Sequence, residues 1–329
     1  MKLVKDQIIQ HIENLNIRHV YGVSGANIED LFSGFQASLK TKPVLAKTEY
    51  QACLMAMGSY LVEQKPHLVL TTSGAGVLNT LPVLAEAFTS RIPFVLIAGL
   101  VPTSLHGKGG FQDTSNQNGT LDLEAMIRPS VSFLHQVSHA EEVISFLQQA
   151  FAAAETTKKP AVLLIPKNIF TEVAESIPAK NLLPSLQVTD LQEITQQLKN
   201  LKKSPLLILG EEVIHLKNRE KINQLVEKLN AQVAVTPCAK GFFNHRDSRF
   251  LGLTGMMGHS AVVEFIEQAE SVIIFGSRLD LLSRVGLETA LKSKTVFHLS
   301  CFSENNYLPV QFNAIGDLDL VITELLNEL

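Results

Sequence analysis

Glu49 is the acidic side chain whose position could place it in a catalytic site. It follows a short apolar stretch that predicts a strand, and it opens a stretch that predicts a helix. A carboxyl group at such a junction can hold or transfer a proton. It can also be structural, because Thr48 with Gln51 three residues later has the form of a capping box, and acids favour helix N-termini. Position alone favours the structural interpretation.

Two glycine-rich turns could receive a ligand through backbone N–H groups. Residues 73–76, Ser-Gly-Ala-Gly, follow a predicted strand and open a predicted helix, which is a common arrangement for binding phosphate. The dinucleotide fingerprint needs a small residue at position 79, where this chain has Asn79. Residues 252–258 are similarly dense in glycine. Each segment, taken alone, is explained better by tight turning than by a ligand.

Nucleophile and metal motifs are incomplete. Ser24 follows a predicted strand, but Ala26 occupies the final glycine position of a nucleophile elbow. His135 and His139 are four residues apart without the intervening glutamate of a metalloprotease, and no Cys-x-x-Cys pair exists. These patterns disfavour a serine hydrolase and a metal site.

Composition limits the classes of partner. The 329 residues include 28 Lys and Arg against 32 Asp and Glu, a formal net charge of −4, which argues against a nucleic-acid partner. Apolar residues make up 46%, enough for a substantial core, and the three cysteines fit a reducing compartment. The apolar stretch at 94–101 is much shorter than the roughly 20 residues of a membrane span. We therefore expect a cytoplasmic protein without a membrane or nucleic-acid partner.

Helical and strand patterns alternate along the chain, and the strands lack polar alternation. Such strands are buried on both faces, which is typical of parallel sheets covered by helices. The fold class predicted is α/β, with two doubly wound parallel-sheet domains in series, at 1–172 and 190–329, joined by a linker at 173–189. Strands are predicted over 18–22, 43–46, 67–71, 93–99, 161–166, 205–210, 232–235, 271–275 and 295–299. Helices are predicted over 5–15, 30–39, 49–62, 78–87, 140–154, 219–229, 261–269 and 318–329.

Several segments, in order, resemble the thiamine-diphosphate-dependent enzymes of the acetolactate synthase type. Position 24 has serine where that family has proline, position 48 threonine for histidine, and position 75 alanine for proline. The matching segments of the first domain are 21–25 (Tyr-Gly-Val-Ser-Gly), 48–52 (Thr-Glu-Tyr-Gln-Ala), 72–76 (Thr-Ser-Gly-Ala-Gly), 93–102, 111–112 (Phe-Gln) and 161–167. Those of the second are 210–214, 240–242, 253–258 and 276–280.

The resemblance implies a pyrimidine-binding fold followed by a Rossmann-like central domain, and it assigns roles to residues. Glu49 would share a proton with N1′ of the thiamine diphosphate pyrimidine, whose amino group then removes the C2 proton. Gln112 would lie near the reacting carbon. The residues expected to bind the cofactor are Gly25, Ser73, Gly74, Asn79 and Phe111.

The resemblance also implies parts that this chain does not show. The family's third domain binds Mg²⁺ and the diphosphate through Gly-Asp-Gly and a downstream Asn, whereas this chain has Gly316-Asp317-Leu318 near its end. We expect a split enzyme whose partner subunit carries that domain and Mg²⁺, and expect a homo- or hetero-oligomer. A piece of a longer chain and a non-catalytic scaffold pairing with a complete homologue remain alternatives.

The substrate implied is a small 2-oxo acid such as pyruvate, which would be decarboxylated before the acyl-anion equivalent is transferred; plain decarboxylation is a further alternative. The loop at 113–126 differs from the acetolactate pattern, so the acceptor is open. FAD is left open by the resemblance but unsupported, because 299–302 (Leu-Ser-Cys-Phe) replaces an Asp-rich strand end.

Overall fold

The chain forms two compact α/β units in its described part. The computed structural model describes residues 1–175, 188–302, 307 and 310–329. Residues up to 175 belong to the first unit and residues from 188 onward to the second. Most of the linker predicted at 173–189 lies outside the described residues.

The first unit is built on strands and helices that alternate along the chain. Its strands are β1 (Lys2–Leu3), β2 (His19–Gly22), β3 (Lys42–Leu45), β4 (Leu68–Thr72), β5 (Val95–Leu100), β6 (Phe133–Gln136), β7 (Ala161–Pro166) and β8 (Val173–Ala174). Its helices are α1 (Val4–Asn14), α2 (Glu29–Ala37), α3 (Glu49–Glu63), α4 (Ala75–Leu78), α5 (Leu81–Ser90), α6 (Leu123–Ile127), α7 (Val143–Thr157) and α8 (Lys167–Phe170).

A six-stranded parallel sheet of order β3-β2-β4-β5-β7-β6 divides the first unit into two apolar layers. Alternate residues of β4 show the division: Leu68 and Leu70 pack in the layer of α1, α2 and α7, and Val69 packs in the layer of α3 and α5. Both faces of the strand are therefore covered, which explains its uninterrupted apolar sequence. A separate antiparallel ribbon joins β1 to β8.

The second unit repeats this layering with its own elements. Its strands are β9 (Leu206–Leu209), β10 (Gln232–Val235), β11 (Phe250–Leu253), β12 (Ser271–Phe275), β13 (Thr295–Ser300) and β14 (Phe312–Ile315). Its helices are α9 (Gln192–Lys199), α10 (Glu220–Leu229), α11 (Ser260–Gln268), α12 (Leu281–Arg284), α13 (Glu288–Leu291) and α14 (Leu318–Glu328).

The sheet of the second unit is also six-stranded and parallel, with the order β11-β10-β9-β12-β13-β14. Helices α9, α10 and α14 pack on one face, and α11 and α13 on the other. The predicted fold class, two doubly wound parallel sheets, is confirmed. Within the described residues, none of the helices is both long and apolar enough to cross a membrane.

One predicted helix is wrong. The single helix expected over 78–87 is two helices, α4 and α5, separated at Asn79 and Thr80. Pro82 lies at the start of α5 and has no N–H to donate to the Leu78 carbonyl, so the helical ladder is interrupted there. The N–H and Oγ1 of Thr80 both donate to the Val77 carbonyl, at 3.0 and 2.6 Å. The break leaves Asn79 at the end of a short helix.

Candidate active site

The residues singled out from the sequence lie mainly at the carboxyl edge of the first unit's sheet. Strand order reverses between β2 and β4, and ligands of open α/β sheets bind at such a switch point. Gly25 follows β2, Glu49 follows β3, and Ser73 follows β4. Parallel strands bring these three connections to the same edge.

The Glu49 carboxyl group is held by a residue from another helix. Asn79 Nδ2 donates a hydrogen bond of 3.0 Å to Glu49 Oε2. The other oxygen, Oε1, would lie 3.3 Å from a Cβ built on Gly76. Thr48 Oγ1 caps α3 by accepting from the Gln51 N–H at 3.2 Å. The half-buried carboxyl is thus fixed at one oxygen, and the other faces a backbone without a side chain.

Cys53, one turn further along α3, lies within the electrostatic influence of this carboxyl. Its thiol is fully buried. Burial raises the pKa of the Cys53 thiol, and the negative charge of Glu49 raises it further. Cys53 is therefore a neutral apolar neighbour of Glu49 and is not a nucleophile at physiological pH.

Gly74 shapes the turn after β4. Its φ of +62° and ψ of −128° are accessible to glycine and strained for other residues. A Cβ at Gly74 would also lie 2.7 Å from the Cβ of Gln112, which itself has a φ of +62°. The turn therefore places Gln112 directly against Gly74, which brings two predicted site residues together although they are far apart in sequence.

Ser73 and Thr72 are fixed from the β2 side by a residue that sequence reasoning missed. Asn27 Nδ2 donates to Ser73 Oγ at 2.7 Å, and the Asn27 N–H donates to Thr72 Oγ1 at 3.2 Å. Gly25 packs against the same threonine, because a Cβ there would lie 2.7 Å from Thr72 Cγ2. Gly99 is a partial sequence signal for this contact, because a glycine within an apolar strand marks a close approach of another backbone. That backbone is Asn27, whose carbonyl oxygen would lie 1.8 Å from a Cβ at Gly99.

The segment after Gln112 is tied down by Asp113. The Gly107 N–H donates to Asp113 Oδ2 at 2.7 Å, and the Ser115 N–H donates to Oδ1 at 2.9 Å. Burial favours a higher pKa for Asp113, but hydrogen bonds from Ser115 and Gly107 and the nearby His106 outweigh it and lower the pKa. Phe111, which precedes Gln112, is 73% exposed.

The arrangement fits the pyrimidine half of thiamine diphosphate. Such a ring needs a carboxyl group to share a proton with a ring nitrogen, and Glu49, half-buried at the carboxyl edge of the sheet, can supply one. In the part of the chain that the structure describes, no group of three or more His, Cys, Asp or Glu side chains is placed to hold a metal ion.

Known protein families match both units of the chain. Residues 2–120 match the N-terminal TPP binding domain of thiamine pyrophosphate enzymes, and residues 191–325 match the central domain of the same enzymes. Together these matches span more than half of the chain.

Individual relatives point to the same group. The chain is 27% identical to an acetolactate synthase large subunit of Haemophilus influenzae, over 98% of this chain and 58% of that protein. It is 27% identical to the large subunit of acetolactate synthase isozyme 1 of Escherichia coli, over 83% of this chain and 48% of that one. The chain thus spans about half the length of the curated relatives it matches.

The fold is shared with solved structures. A benzoylformate decarboxylase from Polynucleobacter necessarius superposes with a TM-score of 0.84 at 21% identity, covering 100% of this chain and 61% of that one. A putative thiamin diphosphate-dependent enzyme from Mycobacterium smegmatis gives the same TM-score and identity, covering 100% of this chain and 63% of that chain. The chain belongs to the thiamine pyrophosphate enzyme family, of which it carries the N-terminal and central domains.

Proposed function

We propose that this chain is one subunit of a split thiamine-diphosphate-dependent enzyme that decarboxylates a 2-oxo acid such as pyruvate. The acyl unit that remains is transferred to a second carbonyl compound, as the acetolactate synthase relatives suggest. A partner subunit supplies the diphosphate-binding domain with its Mg²⁺. The observation that carries the proposal is the Glu49 carboxyl at the switch point of the first sheet, held at Oε2 by Asn79 and close to Gly76 at Oε1.

Each of the predicted site residues around Glu49 has a defined task in this proposal. When bound, thiamine diphosphate would supply a nucleophilic carbon for the 2-oxo acid and an electron-accepting thiazolium ring for the loss of CO₂. Glu49 holds a proton at Oε1 for the pyrimidine nitrogen, and Asn79 orients the carboxyl. Gly25 and Gly74 allow the backbone to approach the cofactor closely, and Ser73 fixes the turn after β4. The side-chain carbons of Gln112 pack on Gly74, and we assign its amide to binding the carbonyl or carboxylate of the substrate.

Helix α3 supports the existence of a partner. Its exposed side carries Tyr50, Leu54, Met55, Leu61 and Val62. Neighbouring positions on this side are Gln51 and Gly58, so none of its residues is charged. A helix face that is exposed and apolar along its length is typical of a site of protein association. It begins beside Glu49, so a subunit docked on α3 reaches the carboxyl that the reaction needs, and we assign this face to the partner's diphosphate-binding domain.

The deciding experiment combines the chain with a candidate partner that carries Gly-Asp-Gly and the downstream Asn, together with thiamine diphosphate, Mg²⁺ and pyruvate. Glu49→Gln keeps the size of the side chain but removes the carboxyl, so CO₂ release is expected to fall about 100-fold or more. Glu63→Gln, at the opposite end of α3, is the matched control and is expected to keep the wild-type rate. Equal rates for the two variants would remove Glu49 from the mechanism.

The same assay distinguishes the proposed enzyme subunit from a non-catalytic scaffold. A non-catalytic subunit would form a stable complex with a complete homologue, and the activity of that complex would be indifferent to both Glu49→Gln and Gln112→Ala. Complex formation measured by analytical ultracentrifugation, together with CO₂ release, distinguishes this outcome from the proposal.

A further inference from the structure

The second unit has its own switch point, between β9 and β12. In open α/β sheets, dinucleotides bind at this place, and their phosphates accept hydrogen bonds from N–H and hydroxyl groups at the strand ends. A flavin dinucleotide was left open by the sequence, so the donors at this edge decide whether one fits.

Glu211 accepts hydrogen bonds from the donors that follow β12. Ser277 Oγ donates to Glu211 Oε2 at 2.7 Å, and the Arg278 N–H donates to Glu211 Oε1 at 3.1 Å. Both carboxyl oxygens of a residue that follows β9 are therefore bound to the strand across the switch point. These are the groups that a phosphate would need.

Glu212 accepts hydrogen bonds from the donors at the end of the next strand, β13. Its side chain is buried, with 3% of the residue exposed. Ser300 Oγ donates to Glu212 Oε1 at 2.9 Å, and the Cys301 N–H donates to Oε2 at 2.7 Å. The Glu212 N–H donates to the Gly276 carbonyl at 2.8 Å, which fixes its backbone as well.

The backbone at the switch point is closed in the same way. A Cβ at Gly210 would lie 2.0 Å from the Ser277 Cβ and 2.4 Å from the Gly276 oxygen. The connection after β9 therefore rests directly on the connection after β12. A diphosphate entering here would meet the carboxyl groups of Glu211 and Glu212. The hydrogen-bond donors at the strand ends would already be in use, and the strand ends would leave no space for it.

We propose that the second unit takes no flavin or nicotinamide dinucleotide at its switch point, because Glu211 and Glu212 already accept hydrogen bonds from the donors that a diphosphate would need. The donors that could bind a cofactor instead stabilise the unit itself. This inference is independent of the proposed function, since it concerns only contacts within the second unit.

The first test uses the purified full chain. Flavin released on denaturation is measured by its absorbance near 450 nm, and binding of FAD, NAD and ADP is measured by isothermal titration calorimetry. The result expected is no stoichiometric flavin and no saturable binding at micromolar concentrations of any of the three. Stoichiometric flavin, or micromolar affinity for FAD or NAD, would overturn the proposal.

The second test restores a site. Glu211→Gly removes the carboxyl from Ser277 and Arg278 and leaves their donors available, so ADP is expected to bind at least tenfold more tightly than to the wild type. Circular dichroism reports whether this variant folds. If it does not, Glu211→Ala decides, because it also removes the carboxyl group from Ser277 and Arg278. A folded variant that binds ADP no better than the wild type would contradict the role assigned to Glu211.

Discussion

At the scale of single residues, Gly74 is the position where backbone conformation and packing impose the same requirement. Its φ of +62° is strained for a residue with a Cβ, and that Cβ would meet Gln112 at 2.7 Å. Gln112 therefore has its place against the turn after β4 because position 74 has no side chain. Any change at Gly74 acts on the turn and on Gln112 together.

Gly74→Ala is expected to destabilise the first unit by about 1–3 kcal/mol, the usual cost of a strained backbone conformation, with the clash against Gln112 in addition. Urea unfolding followed by circular dichroism measures the change. Gly119→Ala is the matched control, because Gly119 also has a positive φ of +83° but nothing within 4 Å of its Cβ position. An effect no larger than that of Gly119→Ala would show that the contact with Gln112 costs nothing.

The candidate site could be predicted only in part from single residues. Glu49, Gly25 and Ser73 follow predicted strands, so a parallel sheet brings them to one edge. The contact between Gln112 and Gly74 depends on the path of a long loop, which no local pattern specifies. Asn27 was missed because its amide acts on Ser73 through the tertiary fold, and asparagine is common in turns whether or not its side chain reaches another segment.

At the scale of elements, α3 has two different faces. Ala52, Cys53, Ala56 and Tyr60 are buried against the sheet, whereas the opposite face is apolar and exposed. Gly58 lies on that exposed face, in the helix interior, with nothing within 4 Å of its Cβ position. A glycine there costs helix stability without any benefit within the unit, but it allows close approach of a docked partner.

Gly58→Ala should therefore have opposite effects on the chain and on its complex. In the isolated chain it is expected to increase the free energy of unfolding by about 0.5–1 kcal/mol, because alanine favours the helix. In the proposed complex, the added methyl group is expected to weaken partner binding by about 1–3 kcal/mol through overpacking.

Both effects are measurable, by urea unfolding and by calorimetric titration of the partner. Gln36→Ala, an exposed change at the end of α2, is the control and is expected to leave partner affinity unchanged. Unaltered affinity of Gly58→Ala would place the docking surface away from α3.

The interior strands were predictable because they are apolar without interruption, and β7, β10 and β12 have the predicted bounds. The missed strands β6, β11 and β14 are short, carry polar or half-buried residues and lie at sheet edges. Their pairing is set by a neighbouring strand and not by their own periodicity. The break between α4 and α5 depends on one proline whose effect competes with an otherwise helical pattern.

At the scale of the whole molecule, two imidazoles in the first unit make its stability depend on pH. Burial lowers the pKa of His67 and of His11. At His67 the Glu63 carboxyl and the His19 carbonyl oppose this effect, while Lys65 and the His19 side chain add to it. Both residues are thus favoured in the neutral form when the unit is folded.

The unfolded chain binds protons at these two positions more readily than the folded chain, from about pH 6.5 downward. Stability is therefore expected to be fully present above pH 6.5 and to decrease as the pH falls toward the native pKa values. The urea midpoint, measured by circular dichroism at pH 7.5, 6.5 and 5.5, checks this. His67→Gln should flatten the decrease, and an equal midpoint for the wild type at pH 7.5 and 5.5 would contradict the prediction.

The ribbon between β1 and β8 brings residues 2–3 beside residues 173–174, with Lys2 opposite Ala174 and Leu3 opposite Val173. The Val4 N–H, which donates to the Glu172 carbonyl at 3.0 Å, reinforces this pairing. A unit whose first and last strands pair in this way suits circular permutation and insertion into another chain. A short peptide can join the paired strands, and the chain can be opened at a surface loop, without disrupting the six-stranded sheet. Gene fusion, fission and circular permutation thus become small steps for this architecture.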